Sequence, residues 1–244
     1  QTKTLLREGG TENAHLRIQG IPDSKGLLPV ISATNAILHG NFDQWTENLG
    51  VFVVSGPYGK KPAWIEFVNL HIKNAEYAGI FTRGDHISVK GCIFENNANG
   101  IFFQANNQEL IQISTYNLVE GCRFVNNGKI GSYNEHNIYT QGYRTIIQFN
   151  TIEKLQNNSI GSSIKDRSAH TVVRYNYIET SSRTIDLVEP DDTDEIITQD
   201  SDWDDVYVYG NLIMNTSVPT DGAGTSMIHY GNDLSAELGK RGTL

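Results

Sequence analysis

The sequence predicts an all-β chain folded as one right-handed parallel β-helix, a solenoid with an acidic loop inserted near its end. Three observations carry that prediction. A unit of two short alternating strands around a small or amide residue recurs as IEFVNLHIKNA (65–75), HISVKGCIFENN (86–97), YNLVEGCRFVNN (116–127), RTIIQFNTIEK (144–154), HTVVRYNYIET (170–180) and DVYVYGNLIMN (205–215). Between these units lies another strand with isoleucine at a fixed place: Ile80, Ile101, Ile138, Ile164, Ile185 and Ile228. Asparagine clusters at the strand boundaries, where its amide bonds nearby backbone and its own backbone tolerates the left-handed region.

The units return at intervals of roughly 23–35 residues, the mark of a solenoid in which each repeat buries its apolar side only by stacking on the next. Helical repeats would show a 3.6-residue period, whereas these alternate at period two. A propeller blade needs four strands in about 40–45 residues, too many for these units. Aligned on the turn, Asn69, Cys92, Cys122, Asn150, Asn176 and Asn211 form one column, so side-chain amides in stacked coils are placed to bond up the stack. Cys92 and Cys122 replace two rungs, as packed thiols or, given suitable geometry, as a disulfide. The chain divides into opening coils (1–64, with a short helix or loop around Trp45), central coils (65–188), an acidic loop (189–205) and last coils (206–244). The final RGTL reads as the start of another strand, so the last coil is expected to be incomplete.

Composition narrows the function. A formal net charge of -9 argues against nucleic acid, whose phosphates need a basic surface. No run of about 18 apolar residues offers a membrane span. Residues 1–10 hold no apolar signal region, so either a signal has been removed or none existed. The two cysteines are too few for a disulfide framework, and oligomeric state is not legible.

The segments GTENAHLRIQGIP, DQWTENLGVFVV, VNLHIKNA, GSYNEHNIYT, IKDRSAHTVVRYNYIE, IDLVEPDD, VYGNLIM and IHYGND follow one another as in bacterial right-handed parallel β-helix repeat proteins, and the chain resembles that group within the pectate lyase-like superfamily. The resemblance covers nearly the whole chain and is most specific in NEHNIYT…IKDRSAHTVVRYNYIE…IDL. It implies the β-helix fold and extracellular or periplasmic polysaccharide handling. It supplies no catalytic set, because the calcium-ligating and arginine motifs of pectate lyases are not legible here.

Alternation locates a candidate site. If the isoleucines point inward, the following residues face outward: Phe81, Phe102, Tyr139, Lys165, Asp186 and His229 on consecutive coils. Two positions beyond the isoleucine stand Arg83, Gln104, Gln141 and Arg167, and one before it stands Asn137. Phe81 and Phe102 are expected to stack on sugar rings, with Arg83, Gln104, Asn137, Gln141 and Glu189 as further substrate contacts. Tyr139, Lys165 and His229 are proton-transfer candidates. For elimination from a uronic acid-containing glycan, Arg167 or Lys165 would neutralise the carboxylate, and Tyr139 or His136 would protonate the leaving oxygen. Hydrolysis would instead pair Asp186 with Glu189, Asp191 or Asp192. A binding or scaffolding β-helix without turnover is the third reading. In the acidic loop, Asp200, Asp202 and Asp204 alternate as calcium ligands often do, but the EF-hand glycine and glutamate are missing, so a Ca2+ site and a solvated loop both stand. His71 and His170 are expected to be structural.

Overall fold

The computed structural model describes residues 4–35, 50–57, 60–105, 113–179, 182–191, 193–214, 226–234 and 239–240. Trp45, Asp192 and the terminal RGTL lie outside the described residues. The predicted units form strands, and equivalent strands of successive coils pair in parallel into three sheets, giving a right-handed parallel β-helix. The first sheet orders Thr4–Leu6, Phe52–Val54, Ala78–Thr82, Asn99–Phe103, Ile138–Thr140, Ser162–Asp166, Arg183–Leu187 and Ser226–Tyr230. The second runs from Leu16–Gln19 to Tyr207–Tyr209, and the third from Val30–Ser32 to Leu212–Met214, with seven strands each.

Period-two alternation fixes the register, because a slip of one residue would turn every apolar side chain outward. Ile80, Ile101, Ile138, Ile164, Ile185 and Ile228 stack in one line, as the sequence predicts. All but Ile228 are fully buried. They meet Phe67, Val89, Val119, Ile147 and Val173 of the second sheet and Ile72, Phe94, Phe124, Ile152 and Ile178 of the third in one continuous core. Phe94 and Phe124 stack at 5.0 Å, extending the column one coil at a time. Each such side chain contributes about 1.5–3 kcal/mol by leaving water.

The corner between the second and third sheets carries the amide ladder. Asn150 Nδ2 donates to Asn176 Oδ1, and Asn176 Nδ2 to Asn211 Oδ1, each at 2.9 Å. Asn69 does not belong to it. It takes the left-handed seat one residue earlier, at φ 53°, in line with Gly91 at φ 60° and Gly121 at φ 63°, while Leu70 occupies the rung below Cys92. Asparagine is accepted at both places, which is why sequence alignment slips there. Cys92 and Cys122 are free, buried thiols, and Cys122 Sγ donates to the carbonyls of Val89 and Glu120. A second ladder, Asn97 to Asn127 to Asn137, ties the third sheet to the first.

These amides replace water for buried backbone, so truncating one orphans several groups at once. Asn176 Oδ1 accepts from the backbone and side chain of Asn150, and its Nδ2 also donates to the Ile147 carbonyl. Asn176→Ala is expected to cost at least about 2 kcal/mol, read as a lower denaturant midpoint; an unchanged midpoint would show the ladder to be ornamental.

Candidate functional site

Val53, Phe81, Phe102, Tyr139, Lys165, Asp186 and His229 form an unbroken line on the outer face of the first sheet. The line divides into two chemistries. Its lower half is closed. Phe81 is fully buried and Phe102 is 4% exposed, packed with Val53 and Ala78 under Tyr77 and Tyr139. Phe102 and Tyr139 lie parallel at 4.4 Å, and Phe81 meets Phe102 edge-on at 5.5 Å. The expectation that Phe81 and Phe102 present platforms to sugar rings is therefore corrected: Phe102 is covered by Tyr139 and Phe81 by Arg83, and both rings are buried. Arg83 lies over Phe81 and donates through Nε to Gln104 Oε1 at 2.6 Å. Gln141 is buried and donates to the Tyr139 hydroxyl at 3.0 Å. Asn137 is also corrected. It is fully buried, accepts from Asn127 and donates to the Glu153 carbonyl. The chain is still turning the corner there, so the residue before the isoleucine faces inward.

The upper half is a cluster of ion pairs. Lys165 Nζ donates to Asp186 Oδ2 at 2.6 Å and to Asp233 Oδ2 at 2.9 Å. Arg167 Nη2 reaches Asp233 Oδ2 at 2.9 Å, and Arg183 Nη1 reaches Asp233 Oδ1 at 2.9 Å. His229 Nδ1 meets Asp186 Oδ1 at 2.6 Å. Burial pushes the Asp186 carboxyl up, but Lys165, His229 and Arg183 outweigh it and hold it below the usual carboxylate range. Asp233 is likewise raised by burial and lowered further by Lys165 and Arg183, ending well below that range. An ionised Asp186 makes His229 Nδ1 the donor. Nε2 then keeps its lone pair in the neutral ring, with no protein partner among the described residues. Glu189 anchors backbone: its carboxylate accepts from the N–H groups of Asp233 and Leu234.

A cavity of about 190 Å³ opens on this cluster, lined by Lys165, Arg183, Asp186, Asp233, Ser162 and Tyr133 among others. Sequence reasoning did not find Arg183 or Asp233. Strict alternation from Ile185 turns Arg183 inward, but the corner exchanges faces at Thr184 and sends it out to Asp186. Asp233 follows the last described strand of the first sheet and belongs to no repeat, so periodicity carries no signal for it.

His136, one of the two acids offered for the leaving oxygen, is buried beneath this cluster, where its ring holds backbone. Its Nδ1 accepts from the Ser162 backbone N–H at 2.9 Å, and its ring meets Tyr139 edge-on at 5.1 Å. Burial, then Lys165, lower its pKa from 6.5 to about 3, against an upward pull from Asp186. The unfolded chain thus takes up a proton that the folded chain refuses. Stability is at its full value above about pH 6.5 and falls toward pH 3, at ~1.4 kcal/mol per pH unit. His136→Asn keeps an acceptor for Ser162 and should flatten that part of an unfolding free energy–pH curve; an unchanged slope would assign it to other groups.

The acidic loop is packed rather than free. It contains one helical turn, Asp194–Ile197, with Ile197 fully buried. Residues 200–205 then form successive turns, so alternation does not bring Asp200, Asp202 and Asp204 to one side. Asp200 binds His170 Nε2 at 2.8 Å, and among the described residues no three His, Cys, Asp or Glu side chains converge to hold a metal. His71 pairs with Glu95 at 2.7 Å on the surface. Asp166 is inward and fully buried, its carboxyl pushed up by burial, with Lys240 Nζ 3.7 Å away.

No protein-family model matches the chain, and no curated protein does. Among solved structures, the crystal structure of an alginate lyase from Paenibacillus sp. str. FPU-7 is similar at 12% sequence identity and a TM-score of 0.34, over 84% of this chain and 76% of that one. At that level the likeness assigns no activity to this chain.

Proposed function

We propose that this protein is an extracellular polysaccharide lyase of the pectate lyase-like kind, cleaving a uronic acid-containing glycan by β-elimination. The observation that carries the reading is the convergence of Lys165, Arg167 and Arg183 on one carboxylate, that of Asp233, beside an ionised Asp186 in contact with His229 Nδ1. Elimination needs the sugar carboxylate neutralised so that the proton on the adjacent carbon can leave. Lys165 and Arg183 line the cavity and fit that task, because fixed cations stabilise the enolate-like charge that develops. His229 Nε2 takes the C5 proton, with Asp186 holding the ring. The freed electron pair forms the C4=C5 double bond, the C4–O bond breaks, and the leaving oxygen takes a proton from the Tyr133 hydroxyl at the cavity wall. Lys165, which donates to two carboxylates, acts in this scheme as neutraliser rather than base.

Hydrolysis fits less well. Asp186 Oδ2 and Asp233 Oδ2 share Lys165, so they are no further apart than its two contacts laid end to end, too close for the ~6.5–9.5 Å spacing of inverting glycosidases, which leaves only the retaining mechanism. That mechanism also needs one carboxylic acid held protonated, and both of these are held ionised. The carboxyl that burial does raise, Asp166, faces inward. Binding without turnover draws support from the cavity, smaller than the ~300–1,000 Å³ of common ligand sites.

A panel of uronate polymers differing in sugar and linkage tests the three readings. Growth of the ultraviolet absorbance of an unsaturated uronate supports elimination. New reducing ends without that absorbance would replace it with hydrolysis, and retention of a polymer with neither signal would leave binding alone.

A further inference from the structure

We infer that Lys165, Arg167 and Arg183 form a carboxylate subsite that the chain's own Asp233 fills, and that a uronate carboxylate binds by displacing it. The identity of the incoming sugar rests on the proposed lyase reading; the subsite itself does not.

The cations belong to the wall and the anion does not. Lys165 and Arg183 stand on adjacent paired strands, in register with Asp186 and Ser162 respectively, and Arg167 directly follows the strand carrying Lys165, so all three cations are built into consecutive coils and their side chains meet at Asp233. Lys165 and Arg167 are each 5% exposed. Asp233 comes from outside the repeats, and its side chain remains 26% exposed at the cavity wall. Three charged donors on two carboxylate oxygens form a geometry that any carboxylate of similar reach can occupy.

The backbone of Asp233 is secured independently of its side chain. Glu189 accepts from the N–H groups of Asp233 and Leu234, and Arg167 Nη1 donates to the Glu189 carbonyl at 2.8 Å. A rotamer change at Asp233 therefore vacates the cations without undoing that anchor. The exchange replaces one carboxylate with another, so cation pairing is conserved, and the outgoing side chain regains water. An internal ligand competes at high effective concentration, and the apparent affinity for a free carboxylate falls by the fraction of time the subsite stands open.

The experiment titrates the full chain with sodium glucuronate by calorimetry at low ionic strength, with glucose as the uncharged control. Asp233→Ala and the isosteric Asp233→Asn are expected to bind glucuronate at least about ten-fold more tightly than the unsubstituted protein and to ignore glucose. Adding Arg183→Ala to either should remove the gain. Glu189→Gln, which loosens the anchor, should shift affinity in the same direction by less. Equal affinity in the unsubstituted protein and both Asp233 variants overturns the inference. Unfolding of both variants does so too, because it makes Asp233 a structural counter-ion. Tighter glucuronate binding with no polymer cleaved would leave the subsite standing and remove the lyase reading. Cleavage with unchanged binding would do the reverse.

Discussion

Replacing His229 with alanine is expected to lower the rate of elimination by about 10²–10⁴-fold, the range contributed by a positioned general base, while leaving uronate binding near its original value. The expectation follows from how the ring is held. Asp186 is 2% exposed and ionised, and its Oδ1 lies 2.6 Å from His229 Nδ1. A buried carboxylate there fixes one tautomer and one ring orientation, leaving Nε2 as the atom that can accept a proton. The cations that would neutralise the substrate contact Asp233 and the other oxygen of Asp186, so removing the imidazole leaves them paired. The loss should therefore fall on kcat with KM little changed, the signature of an interaction made in the transition state. Asp186→Asn should lose activity as well, but by a mixed route, because it also strips Lys165 and Arg183 of a partner. If His229→Ala retained full kcat on a polymer that the unsubstituted protein cleaves, the base would have to be sought elsewhere on the wall, with Tyr133 next.

The fold was legible because its physics is local and periodic. Alternation placed Ile80 through Ile228 in one line, and the same step placed Tyr139, Lys165, Asp186 and His229 on one outer wall in register. The ladder was legible at Asn150, Asn176 and Asn211, and failed at Asn69, where the left-handed seat and the rung accept the same residue type. Burial of the outer wall was not legible, because what covers it comes from other parts of the chain. Phe81 and Phe102 look like exposed platforms until Tyr77 packs on them, and Tyr77 carries no repeat signal of its own. Asp233 is hidden for the same reason: its partners lie 66 and 68 residues back, at Arg167 and Lys165, and charge alone singles out none of the chain's many acids. Arg183 was missed through geometry, since a corner in the strand exchanges the two faces that alternation assumes.

Lys165→Ala is expected to destabilise the protein by about 3–5 kcal/mol, the cost of removing one partner from a buried ion pair and leaving the other charge behind. The Lys165 side chain is 6% exposed and Asp186 2%, so bulk water replaces little of the lost contact. Asp186 keeps the Ser162 hydroxyl at 3.3 Å, Arg183 at 3.5 Å and His229 at 2.6 Å after the change, and of these only His229 is as close as Lys165 was. Asp233, with a 26% exposed side chain and both arginines still in place, should lose far less. That ordering separates the two carboxylates experimentally. In double-mutant cycles read from denaturant unfolding, the coupling of Lys165 to Asp186 should exceed its coupling to Asp233 by at least about 1 kcal/mol. Filling the space with Lys165→Met and Asp186→Leu together should recover most of the loss, since a buried pair replaced by apolar groups of similar volume is often neutral. Recovery of stability without recovery of elimination would mean that this pair is retained for its chemistry. A double variant as unstable as Lys165→Ala alone would instead mean that the network around Asp233 and His229 needs the Asp186 carboxylate to hold the wall together.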